Sequence, residues 1–311
     1  MKLSIILVTY NHEKYIAKAL ESIYKQNFDF STVEIIIADD FSTDNTLKII
    51  KSHQSRFPVE ATFVYLDRDK NLGITKNYQS AFAACRGEYI AVLEGDDYWV
   101  SPNRLQCLTD VLDNNFHAGM VSSNYYVYNQ TNKTSYLRIK KTVGVDFYVA
   151  PQLVLDNIVG NFSTCMYRRS EIDQLPKQLF DIISYDWIIS ICITSNSYLA
   201  FVNQPMSLYR VHENGVWSSA SEVNRINEQI NTITKYDELT EYVFSSEFKQ
   251  VKNRLHYQLK LLDHVMVKNK KLKNTLKSLI RLSRDYVPPV VRVILRYIMP
   301  PKIVKVLSKV R

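Results

Sequence analysis

Three carboxylates, Glu94, Asp96 and Asp97, close the apolar run Tyr89–Leu93, with Gly95 set between the first two. Carboxylates spaced by one residue lie on the same side of an extended chain, where a divalent cation can bridge them and take phosphate oxygens as further ligands. The plainer alternative is an acidic turn, because Gly-Asp pairs form turns readily. Two other apolar runs also end in polar groups: Thr9-Tyr10-Asn11 ends the first, and Asp39-Asp40 ends the second. Carboxylates gathered at one place repel one another, so such a cluster calls for a cation or a donor-rich ligand. Mg²⁺ or Mn²⁺ carrying a diphosphate meets that need. Further along, Asp186 precedes an apolar helical pattern beside Trp187, a place where the macrodipole favours an acid, and Arg210 and His212 stand in YRVHENGVWS.

These residues need elements to hold them. Residues 3–9 and 33–38, ATFVYL and the run ending at Leu93 read as strands, and each is followed by a helical pattern. The helices run through Ile16, Leu20, Ile23 and Tyr24, through LKIIKSH, from about Thr75 to Ala84, and onward from Pro102, a residue suited to a first helical turn. Strands alternating with helices predict an α/β fold with a mostly parallel sheet covered on both faces. In such sheets the ligand lies beyond the carboxyl ends of the strands, so the three polar clusters should converge on one crevice. Beyond residue 115 shorter strands are expected near 119–128, 143–149, 162–168 and 198–210, and from about 220 the chain turns helical.

Composition excludes several classes. The 311 residues are 46% hydrophobic, which fits a folded protein, and no apolar run approaches the ~18 residues needed to span a bilayer. MKLSIILVTYN reads as a first strand and not as a signal peptide. Cys85, Cys107, Cys165 and Cys192 lack C-x-x-C spacing and read as reduced, packed thiols of a cytosolic protein. Only seven glycines are present, with neither G-x-x-x-x-G-K nor G-x-G-x-x-G, so a P-loop and a dinucleotide fingerprint are both excluded. Residues 249–311 carry seventeen Lys and Arg against two Asp, so the rest of this +8 chain is net acidic. The last stretch mixes apolar residues with Arg292, Arg296, Lys302, Lys305 and Lys309, a basic amphipathic pattern suited to an anionic membrane surface; nucleic acid is a poorer partner.

VTYN, DDFSTDNT, NLGITKN and GEYIAVLEGDDYW, in that order, resemble the nucleotide-sugar domain of the inverting family 2 glycosyltransferases of GT-A fold, well over residues 1–130 and more loosely to about 215. The resemblance implies a GT-A domain over 1–218, its nucleotide-sugar half 1–115 and its acceptor half 116–218, followed by a helical basic region 219–311. It implies a nucleotide site drawn from Thr9, Tyr10, Asn11, Asp39, Asp40, Lys76, Glu94 and Asp96, with Tyr10 stacking on a base, Asp40 accepting from a ring N–H and Asp39 bracing the loop. Glu94 replaces the first acid of the family's D-x-D, so metal binding falls first to Asp96, then to Asp97, with His212 as an imidazole ligand. Ser163, Trp187 and Arg210 are expected around the sugar and acceptor, and Asp186 as general base.

The leading expectation is an enzyme that moves a sugar from a UDP-sugar, or another nucleotide-sugar, to a glycan hydroxyl. It would use Mn²⁺ or Mg²⁺ and a lipid-linked acceptor at the inner face of the cell membrane, in surface polysaccharide assembly of the O-antigen or capsule type, as a possible homo-oligomer. The alternatives are a non-catalytic membrane-tethered scaffold and a sugar nucleotidylyltransferase; the latter wants a glycine-rich N-terminal loop that is absent here.

Overall fold

Branched aliphatic side chains dominate LSIILVT and VEIIIAD, and such residues suit a sheet buried on both faces. Both segments are strands with every residue buried, β1 (Leu3–Thr9) and β2 (Val33–Asp39), in a computed structural model that describes residues 1–183, 185–213 and 221–263. Strands β3 (Thr62–Tyr65) and β4 (Tyr89–Glu94) join them in the order β3-β2-β1-β4, all parallel. The crossovers carry α1 (Ile16–Tyr24), α2 (Thr46–His53) and α3 (Ile74–Ala84). After β4 come a short β5 (Tyr98–Trp99) and α4 (Arg104–Asp113). The helix begins two residues later than Pro102, which sits in the preceding turn and offers its carbonyl to Asn27.

The second half contributes β6 (Ala118–Asn129), β7 (Thr134–Leu137), β8 (Val145–Tyr148), α5 (Ala150–Leu155), β9 (Cys165–Arg168), α6 (Arg169–Asp173), α7 (Asp186–Thr194), β10 (Tyr198–Val211) and α8 (Glu222–Leu239). The sheet runs on through β4-β9-β6-β10-β5, with β7 against β6 and β8 against β10. Parallel pairing thus governs the first four strands and recurs between β6 and β10, while β9, β5, β7 and β8 pair antiparallel. Strands β5 and β7 have no counterpart in the periodicity, being two and four residues long.

Alternation divides the two faces. Leu3, Ile5 and Leu7 with Val33, Ile35 and Ile37 meet Ile16, Leu20 and Ile23 of α1, Ile50 of α2 and Leu105, Leu108 and Leu112 of α4 in one buried cluster. The opposite face bears Ser4 and Glu34 next to the turn after α3. Residues Met1–Leu255 form one compact unit that includes α8; the second unit, His256–Arg311, is described only as far as residue 263, where it is helical. The helical stretch expected beyond that point and the basic stretch 287–311 lie outside the described residues. No helix among the described residues is long and apolar enough to cross a membrane, and all four cysteines are free.

Glu34 is wholly buried within a central strand, where an isolated carboxylate is costly. It accepts from Ser4 Oγ at 2.6 Å and from Arg86 N and Nε at 2.6 and 2.9 Å, and these donors hold its carboxyl below the usual range against the burial that pushes it up. Glu34→Ala strands the buried Ser4 hydroxyl and unties the turn after α3, with an expected loss of about 2–4 kcal/mol in urea unfolding. A loss below ~0.5 kcal/mol would show that Ser4 and Arg86 find other partners.

Candidate active site

The register of β1 against its neighbours sets Thr9 beside Asp39 and Val8 beside Glu94, so three strand ends open together. A cavity of about 260 Å³ forms there, lined by Thr9, Tyr10, Asp40, Glu94 and Asp96, by His12, and by Asn71, Gly73 and Asn77 around the start of α3. Tyr10 is 45% exposed, an aromatic face open to a ring. Asp40 is buried, and its two carboxylate oxygens accept from Leu72 N at 2.8 Å and Gly73 N at 3.0 Å while its carbonyl accepts from Asn71 Nδ2. Asp40 therefore shapes the cavity by holding the 71–73 loop, whose Gly73 takes a left-handed φ of 79°.

Three expected nucleotide ligands do other work. Asp39 accepts from Ser42 N and Oγ, and Asn11 Oδ1 accepts from Thr43 N, so both tie down the loop after β2 and neither lines the cavity. Lys76 stands on the exposed side of α3, its ammonium 2.9 Å from Asp181, and is also absent from the lining.

The three clustered acids have three different environments. Glu94 is pushed well above the carboxylate range by burial and by the charges of Asp96, Asp97 and Asp186, and it accepts a hydrogen bond from Tyr78 Oη at 3.1 Å. Asp96 is half-buried, which pushes its pKa up, yet it is held below the ordinary value because Oδ2 lies 3.0 Å from Nε2 of His212 and 3.8 Å from Nε2 of His12. Asp97 is 1% exposed and points away from the cavity: Oδ2 accepts from Ser163 Oγ at 2.7 Å and Oδ1 from Arg210 N at 2.8 Å. The metal role expected of Asp97 thus gives way to a structural one, because both of its oxygens are spent on the fold.

Ser163 and Arg210 move with it. Ser163 is fully buried, donates to Asp97, accepts from Glu94 N and offers its carbonyl to Trp99 Nε1. Arg210 donates from Nε to the Asp96 carbonyl and lays its guanidinium over Tyr15 at 4.9 Å. Both brace the acidic turn and neither lines a sugar pocket. His12 joins the site without forewarning in the sequence, where it shows no pairing; the signal is positional, two residues past Tyr10 at the same strand end. A Cβ built on Gly95 falls 2.7 Å from Thr9 Oγ1 and 2.9 Å from His12 Nδ1, so this glycine lets the turn close on β1.

Asp186 opens α7 in a second cavity of about 200 Å³, which it shares with Asn157, Tyr185, Trp187, Tyr209 and Tyr236. Burial raises its carboxyl to about 6, against the hydrogen bond it accepts from Asn157 Nδ2 at 3.0 Å. Trp187 is mostly buried, donates Nε1 to the Leu153 carbonyl and packs on Tyr236 and Phe248, so only part of it reaches the cavity. The two cavities have separate linings, but the charge of Asp186 reaches Glu94.

A parallel sheet ending in aligned polar loops, extended by an antiparallel half that supplies a buried acid, is the GT-A arrangement. TarS residues 1–349 of Staphylococcus aureus, in complex with UDP-GlcNAc, matches with a TM-score of 0.58 at 20% identity over 79% of this chain and 72% of that one. The mannosyltransferase PcManGT from Pyrobaculum calidifontis, in complex with GDP-Man and Mn²⁺, matches with a TM-score of 0.60 at 15% identity over 92% and 81%. At these identities the likeness is one of fold. Residues 4–175 match the family model for glycosyl transferase family 2, and the chain belongs to that family. An uncharacterized protein of Mycobacterium tuberculosis is 33% identical over 228 residues, 70% of this chain but 61% of that protein's length. The poly(ribitol-phosphate) beta-N-acetylglucosaminyltransferase TarS of S. aureus is 35% identical over 98 residues, 32% of this chain and 17% of its own.

The contrast between the adjacent acids is directly measurable. Asp97→Ala leaves the Arg210 N–H and the Ser163 hydroxyl without their acceptor and should cost about 2–4 kcal/mol in urea unfolding. Asp96→Asn, at the cavity, should stay within ~1 kcal/mol of the parent. The reverse ranking would mean that Asp96 and not Asp97 holds the turn.

Proposed function

We propose that this chain is an inverting glycosyltransferase that moves a sugar from a UDP-sugar, or a related nucleotide-sugar, to a hydroxyl of a glycan acceptor. The observation that carries the reading is Asp186: a buried carboxyl whose pKa of about 6 suits a base working near neutrality, beside a cavity ringed by strand-end polar groups. Tyr10 offers a face to the base, and Asp40 with the loop it pins gives that ring polar neighbours. Asp186 takes the acceptor's hydroxyl proton as that oxygen forms its bond to the anomeric carbon. The bond from that carbon to the diphosphate oxygen breaks on the opposite side, and UDP departs with the electron pair. The configuration inverts and no covalent intermediate is needed.

Asp96 and His212 are the residues that would hold Mn²⁺ or Mg²⁺. Asp96 stays ionised, and one of its oxygens faces two imidazoles, a mixed oxygen and nitrogen set that favours Mn²⁺. Among the described residues no three such side chains are already spaced to hold an ion, so phosphate oxygens would complete the shell. When bound, the cation neutralises charge that collects on the departing diphosphate.

A lipid-linked acceptor at the inner face of the cell membrane, in surface polysaccharide assembly, fits the basic tail; the sequence of residues 287–311 supports peripheral attachment there.

Asp186→Asn should cut transfer by about 10²–10⁴-fold while UDP affinity stays within about threefold. The parent's kcat/KM should rise with pH through about 6, and the variant should lack that limb. Stability moves the other way. The unfolded chain releases this proton near 3.8 and the folded chain only near 6, so folding is weakened as pH rises through that interval, and at pH 7 the Asn variant should gain about 2–3 kcal/mol. Equal losses of UDP binding and turnover would remove Asp186 from the role.

In calorimetry, Mn²⁺ should tighten UDP binding to the parent but not to Asp96→Asn or His212→Ala; equal tightening in all three would discard this cation site. Deleting residues 287–311 should release the protein from membranes in sedimentation, and unchanged sedimentation would reject the tail as anchor.

A further inference from the structure

The cavity at Asp186 is closed by an element that the family match does not contain. Helix α8 starts at Glu222, well past residue 175 where that match ends, and contributes Gln229, Thr232 and Tyr236 to the lining. Positions three and seven apart share one helix face. The helix is well anchored: Ile226 and Ile233 are buried, the Tyr236 ring packs on Trp187 at 5.9 Å, and Tyr236 Oη donates to the Ile183 carbonyl. Thr232 donates its hydroxyl to the Glu228 carbonyl, which leaves the oxygen able to accept.

Gln229 is different. It is half-buried at the cavity wall, and its amide, with two donors and an acceptor oxygen, makes no hydrogen bond among the described residues. The fold gains nothing from that amide. A polar group at the wall of a cavity, its hydrogen-bonding capacity left open by the described residues, can orient a hydroxyl-bearing ligand.

We propose that α8 selects the acceptor. Gln229, aided by Thr232, hydrogen-bonds the hydroxyls of one sugar ring whose nucleophilic hydroxyl lies at Asp186. The inference rests on the glycosyltransferase reading above and adds the residues that choose the acceptor. The size of the site fits: about 200 Å³ is the room of roughly seven waters at ~30 Å³ each, enough for a single pyranose, with the rest of the acceptor outside. Tyr185 and Tyr209 supply ring faces for the sugar's C–H groups.

The test uses the full chain saturated with UDP and Mn²⁺, and octyl glycosides of glucose, galactose and mannose as single-ring probes in calorimetry. The parent should bind at least one of them better than the others. Gln229→Met, which keeps length and packing but no hydrogen bond, should weaken that glycoside about tenfold and flatten the ranking, with UDP affinity and UDP release from UDP-GlcNAc in water within twofold. Gln229→Ala should behave alike. A Met variant with the parent's affinities and ranking overturns the proposal, as does a parent that binds none of the glycosides. A parallel fall in UDP binding assigns α8 to the fold and also overturns it. If the parent releases no nucleotide from UDP-GlcNAc, UDP-glucose, UDP-galactose or GDP-mannose, the transferase reading itself fails, a result distinct from loss of glycoside selection.

Discussion

Three carboxylates within four residues at the end of a buried strand are electrostatically untenable unless something divides their charge. The fold answers with a different partner for each. Burial drives Glu94 toward its neutral acid, hydrogen-bonded to Tyr78; Asp96 keeps its charge against two imidazoles; Asp97 is enclosed by a hydroxyl and a backbone N–H. Most of these partners come from far along the chain. Ser163 precedes β9, while Arg210 and His212 stand at or just past the end of β10, so the second half of the domain is fastened to the first through the acids. The turn that would otherwise push itself apart adds a second tie between the halves, beside the β4–β9 pairing of the sheet.

The sequence made the frame readable because long apolar runs with short polar punctuation leave few options. The four parallel strands, the helices between them, and the convergence of Thr9, Asp40, Glu94 and Asp96 on one cavity all follow from that pattern. The apolar pattern alone does not give direction within the turn, although the resemblance puts Asp96 first. Asp96 and Asp97 are neighbours of the same type, and which one faces the cavity depends on where Ser163 and Arg210 arrive in space, a matter settled by strand pairings of β9 and β10 far away in sequence. The same reason hid His12 and promoted Lys76. A histidine beside a strand end and a lysine on a helix look alike until the packing shows that one faces Asp96 and the other Asp181.

The scarcity of glycine sharpens the point. The proposed nucleotide site has no glycine-rich loop and makes its close approach at Gly95: a side chain there would strike Thr9, His12 and Ile16 together.

Asp186 sets the balance between function and stability. A carboxyl raised to about 6 in a half-enclosed cavity weakens folding near neutral pH, and a protein selected only for stability would place an amide or an apolar residue there. The surroundings moderate the cost without removing it. Asn157 donates one hydrogen bond and the backbone N–H groups of Asp186 and Trp187 add theirs, which together pull against the burial without returning the group to an ordinary aspartate. The helix α8 walls one side of the cavity and so adds to the burial that raises the pKa: the element that shapes the pocket also helps to tune the acid inside it.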